Sequence, residues 1–71
     1  MPGTKNRRYL FMTKFSVGDI VGYEKETKEW QIIKIEMVTG KHDEEYIEYT
    51  VKKVKGQDLG RKVITAEENL L

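Results

Sequence analysis

The side chains most often used in catalysis are scarce in this 71-residue chain. His42 is the only histidine, Ser16 is the only serine, and there is no cysteine. His42 stands in an acidic run with Asp43, and no base lies near Ser16 in the sequence. Acid–base catalysis needs a positioned imidazole with an orienting partner, and a nucleophile needs an activating base. The sequence therefore predicts that the protein is not an enzyme.

The residue pattern does not indicate a metal or cofactor site either. Adjacent carboxylates in a loop, such as those that follow His42, point apart, whereas metal ligands must converge. Gly56 and Gly60 flank a turn between predicted strands, but a phosphate cradle needs a glycine-rich loop that leads into a helix. Hairpin geometry explains these glycines. We expect no metal and no cofactor.

A group of basic residues in the last third of the chain forms the first candidate binding surface. These residues lie on two segments joined by a short turn, and they are Lys52, Lys53, Lys55, Arg61 and Lys62. They are candidates for contact with phosphates or with an acidic protein surface, and Arg7 and Arg8 would enlarge the patch. The alternative is that the lysines protect an exposed edge strand from aggregation.

The expected strand pairing adds weight to the basic patch. If Val54 pairs with Val63, Lys55 lies opposite Lys62, and a slip of one residue places it opposite Arg61. Like charges directly across a ladder destabilise it. A bound anion would relieve that repulsion in either register.

Aromatic residues form the second candidate surface. Tyr49 shares a strand face with other apolar residues and is expected in the core. Trp30 and Tyr46 alternate with polar residues, so they are expected on the surface as anchors for a protein partner, together with Tyr23. The alternative is that a domain this small needs all its aromatics for the core.

Composition restricts the class of protein. Hydrophobic residues make up 38% of the chain and charged residues 35%, with a net charge of +1, which is typical of a soluble globule. No apolar run approaches the roughly 20 residues of a membrane span. The basic start lacks the apolar stretch of a secretory signal. We expect one cytoplasmic domain with no membrane contact.

Alternation of apolar and polar residues predicts four short strands, at 20–23, 30–38, 45–55 and 61–64. Thr65 and Glu68 fit a capping box, which predicts a short helical or 3₁₀ turn that returns Leu70 or Leu71 to the core. The expected inward-facing residues are Val21, Ile33, Ile35, Ile47, Tyr49, Val51 and Val63. A β-bulge near Lys52 and Lys53 is expected to bring Val54 inward as well.

The run from Phe15 to Val21, with its Gly18-Asp19 turn, and the closing segment from Val63 to Leu70 resemble SH3-like small barrels. The KOW and Tudor-like groups start and end in similar ways. The resemblance covers roughly residues 13–71 and implies a barrel of four to five antiparallel strands with a binding role. Tudor-like barrels can hold methylated side chains in an aromatic cage, and SH3 domains bind proline-rich peptides in aromatic grooves.

These observations together predict an all-β, SH3-like barrel over residues 13–71, preceded by a flexible basic arm or an upstream extension over residues 1–12. The favoured function is non-catalytic binding of a protein partner, with a small regulator or inhibitor as one form of it. The alternative is nucleic-acid binding through the basic hairpin and the arm.

Overall fold

The computed structural model describes residues 13–71, so the expectations for the arm, including Arg7 and Arg8, lie outside the described residues. Within this part of the chain, four antiparallel strands pair in the order of the sequence, and a 3₁₀ turn follows them. They are β1 (Ile20–Gly22), β2 (Lys28–Thr39), β3 (Glu45–Lys53), β4 (Lys62–Ala66) and the turn Glu67–Asn69. The sheet curls into a half-barrel, which confirms the all-β prediction.

The last residues return to the first strand. The Leu71 N–H donates to the Gly22 carbonyl and the Gly22 N–H donates to the Leu71 carbonyl, each at 2.9 Å. Leu70 forms a β-bridge with Tyr23 and is only 4% exposed. Leu70, and not Leu71, is therefore the leucine that the turn brings to the core.

Among residues 13–71, the core is built around a cluster of six buried hydrophobic residues, which are Val21, Trp30, Ile32, Tyr49, Val51 and Leu70. Three of the residues expected to face inward, Val21, Tyr49 and Val51, are among them. Ile35, Ile47 and Val63 are partly buried and pack against this cluster. The prediction for Ile33 is wrong, because its side chain is 37% exposed while that of Ile32 is fully buried.

A β-bulge explains this exchange. Ile32 pairs with Val51 and Lys34 pairs with Thr50, so Ile33 is the extra residue in β2. Because a bulge adds one residue to one strand, it reverses the alternation of side chains beyond it. The residue pattern predicted a bulge in β3 instead, near Lys52 and Lys53. That prediction is wrong.

Because β3 contains no bulge, its side chains continue to alternate between the two faces of the sheet up to Lys53. Lys53 is partly buried on the core side, and Val54 is 39% exposed. Val51 pairs with Val63, so both registers considered from the sequence are wrong. A like-charged pair still exists, because Lys52 lies opposite Lys62.

The capping-box prediction is also wrong. Thr65 belongs to β4, and Ala66 is the N-cap residue of the turn, with no side-chain capping bond. The Thr65 hydroxyl oxygen instead accepts a hydrogen bond of 2.9 Å from the Asn69 side-chain amide. Strand pairing with Tyr49 holds Thr65 in the extended conformation.

Candidate partner-binding cleft

A cleft of about 320 Å³ opens between the loop that follows β1 and the loop that joins β3 to β4. Four candidates from the sequence line it, namely Tyr23, Trp30, Lys53 and Arg61. The sequence assigned two of them to an aromatic surface and two to a basic surface. The fold joins them in one site, which we call the aromatic cleft.

The first wall of the cleft is the loop over residues 23–27. It folds back over Gly22, where a Cβ would overlap the Lys25 carbonyl oxygen, so only glycine fits. Glu24 has a φ of 62°, in the left-handed region, and its N–H donates to the Asn69 carbonyl at 3.0 Å. These contacts fix the direction in which the loop leaves β1.

The second wall is the loop over residues 54–61. Gly60 has a φ of 88°, and its N–H donates to the Lys53 carbonyl at 2.9 Å. Gly56 has a φ of 81°, and a Cβ there would lie 3.0 Å from a carboxylate oxygen of Glu29. Both glycines thus allow the loop to turn tightly beside the start of β2.

The floor of the cleft is an aromatic pair covered by a lysine. The rings of Tyr23 and Trp30 meet edge to face, with centroids 5.3 Å apart and planes at 73°. Lys53 places its Nζ atom 5.3 Å from the Trp30 ring centroid and 3.1 Å from a carboxylate oxygen of Glu29. The lysine is therefore held by a cation–π contact and an ion pair together.

The expectation that Trp30 is exposed is wrong, since only 7% of it is accessible. Trp30 precedes the bulge at Ile33 and lies opposite Lys53, on the concave side of the sheet. The aliphatic stem of a lysine can cover an aromatic ring while its charged end stays near water. Trp30 thus supports the cleft from below and leaves Tyr23 as the more accessible ring.

Charges of both signs surround this floor. Glu24, Glu29 and Asp58 contribute three carboxylates, and Lys25, Lys53 and Arg61 contribute three cations. Among residues 13–71, the ion pair between Lys53 and Glu29 is the one salt bridge that joins members of this set. The other four charged residues of the cleft, Glu24, Lys25, Asp58 and Arg61, are exposed, so a ligand can reach them.

The other sequence candidates lie elsewhere. Lys52 and Lys62 lie side by side on the outer face of the sheet, next to Gln31 of β2. Lys55 is exposed in the loop after β3. Tyr46 is 44% exposed, as predicted, but it lies at the far end of the β2–β3 hairpin.

A partly buried polar contact holds the start of the described chain. The Tyr49 hydroxyl donates to the Glu67 carboxylate, which also accepts a 2.9 Å hydrogen bond from the Lys14 N–H. Burial, followed by the bond to Glu67, raises the pKa of Tyr49 to about 12. The hydrogen bonds from the Lys14 N–H and from Tyr49 lower the pKa of Glu67.

Sequence reasoning missed Glu29, Asp58 and Glu67. Glu29 lies just before the predicted strand at 30–38, and its position beside Trp30 was the available signal. Asp58 was treated only as part of a turn. Glu67 was hidden inside the capping-box pattern, and nothing in the sequence connects it with Tyr49.

No protein-family model, curated protein or solved structure matches the chain. No helical segment within residues 13–71 is long and apolar enough to cross a membrane. In the same part of the chain, no three histidine, aspartate or glutamate side chains are grouped so that they could hold a metal ion. Function must therefore be inferred from the chemistry of the described surfaces.

Proposed function

We propose that this chain is a non-catalytic module that binds a protein partner through the aromatic cleft. The observation that carries the proposal is the combination of an aromatic floor with carboxylates and cations on both walls. Interfaces between proteins concentrate binding energy on residues such as tyrosine and arginine, and the cleft offers Tyr23 and Arg61 above the buried Trp30. The resemblance to SH3-like barrels implies the same kind of role.

The mixture of charges favours a polypeptide over a nucleic acid in this cleft. A phosphate backbone would meet the carboxylates of Glu24, Glu29 and Asp58 as well as the cations, and repulsion would offset attraction. A polypeptide can offer an acidic group to Arg61 and a basic group to Asp58. Tyr23 would provide the apolar contact between them.

A second candidate function is nucleic-acid binding on the outer face of the sheet. Lys52 and Lys62 face each other across β3 and β4, and Gln31 beside them is uncharged. No acidic side chain forms a salt bridge with either lysine among residues 13–71. An anion bound there would remove a repulsion that the fold itself leaves in place.

The compartment that we propose is the cytosol. The chain contains no cysteine, so its fold depends on packing and not on disulfides that form in oxidising compartments. A small regulator or inhibitor of a larger protein is one form that this binding role can take.

Capture of partners from a cell lysate tests the proposal, with immobilised chain and with or without nuclease treatment. The variants are Arg61→Ala and, as a control with the same change of charge at the far end of the hairpin, Lys41→Ala. We expect Arg61 to be one of the few residues that carry most of the binding energy, and truncating such a residue costs more than about 1 kcal/mol, roughly a fivefold or greater loss of affinity. We expect a captured protein that survives nuclease, is retained by Lys41→Ala and is lost or strongly reduced with Arg61→Ala.

The nucleic-acid candidate predicts a different result. Capture would then disappear after nuclease treatment and would depend on Lys52 and Lys62. Replacing both lysines with glutamine would flatten the salt dependence of binding, because each neutralised phosphate contributes about one unit of log–log slope on duplex. Nuclease-sensitive capture that is indifferent to Arg61 would overturn the proposal of a protein partner.

A further inference from the structure

The outer edge of β4 pairs with no strand within residues 13–71. The strands pair in the order β1-β2-β3-β4, so β1 and β4 are the two edges of the sheet. The edge of β1 is occupied, because Gly22 exchanges backbone hydrogen bonds with Leu71 and Tyr23 forms a bridge with Leu70. In the described part of the chain, β4 is therefore the open edge of the half-barrel.

The backbone groups that β4 directs towards this edge follow from its register with β3. The Lys53 N–H donates to the Arg61 carbonyl at 2.8 Å, so Arg61 bonds towards β3. Successive residues of an antiparallel strand form their hydrogen bonds on alternate sides, so Val63 and Thr65 also bond to β3. The residues whose N–H and C=O groups point to the open edge are therefore Lys62, Ile64 and Ala66.

The side chain at the centre of this edge is apolar and accessible. Ile64 is 64% exposed, although it occupies the middle of a strand. It lies opposite Thr50 on the outer face of the sheet, the same face that carries Lys62. Lysine and proline commonly protect edge strands from pairing, but β4 has a single charged residue, at its first position, and no proline. The centre of the edge is thus open to another strand.

A second copy of β4 fits this edge in an antiparallel register centred on Ile64. Each Ile64 then lies opposite the Ile64 of the other copy, and each Lys62 lies opposite Ala66. All three residues with outward backbone groups are paired, and each pair exchanges two hydrogen bonds. Any other centre pairs fewer of them, and a centre at Lys62 would place two lysines opposite each other, which destabilises a ladder.

The charges at the two ends of β4 are complementary in this register. Lys62 is the first residue of the strand, and Glu68 follows two residues after its last residue, Ala66. Because Lys62 lies opposite Ala66 of the second copy, it comes close to Glu68 of that copy, and symmetry repeats the contact. Both side chains are exposed, and neither forms a salt bridge within residues 13–71. Each is therefore available to the other copy.

We propose that two copies of this chain associate through their β4 edges and form one continuous antiparallel sheet. The contact uses the same surface on both copies and closes on itself, so assembly stops at a dimer. Ile64 covers its counterpart on the outer face, and Val63 lies opposite Thr65 of the second copy on the concave face. No residue of β4 lines the aromatic cleft, so this association is separate from the proposed binding of a partner.

Analytical ultracentrifugation of the full chain measures the association. We expect a monomer–dimer equilibrium in which Ile64→Lys raises the dissociation constant about tenfold or more, because two like charges replace an apolar pair at the symmetry axis. Val17→Lys is the matched control, since Val17 is 62% exposed and lies before the other edge strand. It should leave the dissociation constant unchanged. A native chain that stays monomeric at about 1 mM, or equal effects of the two variants, would overturn the proposal.

A charge exchange tests the register. Lys62→Glu and Glu68→Lys should each weaken the dimer, because each places like charges together across the interface. The double variant should recover the native dissociation constant. Combining Lys62→Glu with Glu26→Lys, at an exposed position after β1, restores the same net charge and should not recover it. Equal recovery by both combinations would contradict the pairing of Lys62 with Glu68.

Amide hydrogen exchange identifies the edge that pairs. The N–H groups of Ile64 and Ala66 should become protected as the protein concentration rises, and Ile64→Lys should reduce this protection at Ala66. Those of Val63 and Thr65 bond to β3, so they should be protected at every concentration and in the variant, which also shows that the variant is folded. Protection of Ile64 that does not change with concentration would overturn the proposal, because it would assign the edge to a segment of the same chain.

Discussion

Replacing Ile32 and Ile33 in turn with alanine tests the bulge on which the geometry of the aromatic cleft depends. The two residues are chemically identical neighbours, yet Ile32 is fully buried and Ile33 is 37% exposed. Ile→Ala at a buried site costs about 2–5 kcal/mol because it removes apolar contacts and leaves a cavity. At an exposed site such a change usually costs within about 0.5 kcal/mol.

A domain of this length has a total stability of roughly 4–11 kcal/mol, so Ile32→Ala should bring the chain close to unfolding. Ile32→Val is the milder variant, with an expected loss of about 0.5–1.5 kcal/mol. Urea unfolding followed by tryptophan fluorescence measures all three variants, since Trp30 lies in the core. If Ile33→Ala costs as much as Ile32→Ala, the bulge is misplaced and Trp30 belongs on the outer face.

Four further predictions follow from single contacts. The pKa of Tyr49 is raised to about 12 from an ordinary 10.0, so its contribution to stability is complete below pH 10 and should be lost as the pH rises through 12. The Tyr49→Phe variant should not show this loss of stability at alkaline pH. The lowered pKa of Glu67 stabilises the fold above its ordinary value of 4.5, and Glu67→Gln should flatten the acid limb of the stability curve. Gly22→Ala should disturb the amide signals of the first cleft wall, because its Cβ overlaps a carbonyl oxygen. Lys62→Gln should raise the stability measured in urea by about 0.2–1 kcal/mol by removing the repulsion from Lys52.

The fold class could be predicted because β3 alternates cleanly. At the centre of that strand, the apolar residues Tyr49 and Val51 alternate with polar residues, so the alternation of side chains alone predicts that both are buried. The second strand is different, because Ile32, Ile33 and Ile35 make both faces apolar. Sequence alternation cannot locate a bulge in such a run, since each choice of parity buries an isoleucine.

The candidate site could be predicted only in parts. Tyr23, Trp30, Lys53 and Arg61 were each selected for their chemistry, but their meeting depends on the register that places Trp30 opposite Lys53. That register follows from the bulge and from the length of the following loops, which residue types alone do not encode. The bulge expected near Lys53 would have turned its side chain away from the core, and this error hid the ion pair of Lys53 with Glu29.

The location of a bound polypeptide on the molecule tests the central claim most directly. Peptides selected from a random displayed library against the full chain can be titrated into isotope-labelled protein while the amide signals are followed. A partner site in the aromatic cleft predicts saturable shifts at Tyr23, Glu29 and Arg61, with no change at Lys34 or Ile64 on the outer face. Shifts confined to the outer face, with the cleft signals unmoved, would contradict the proposed function.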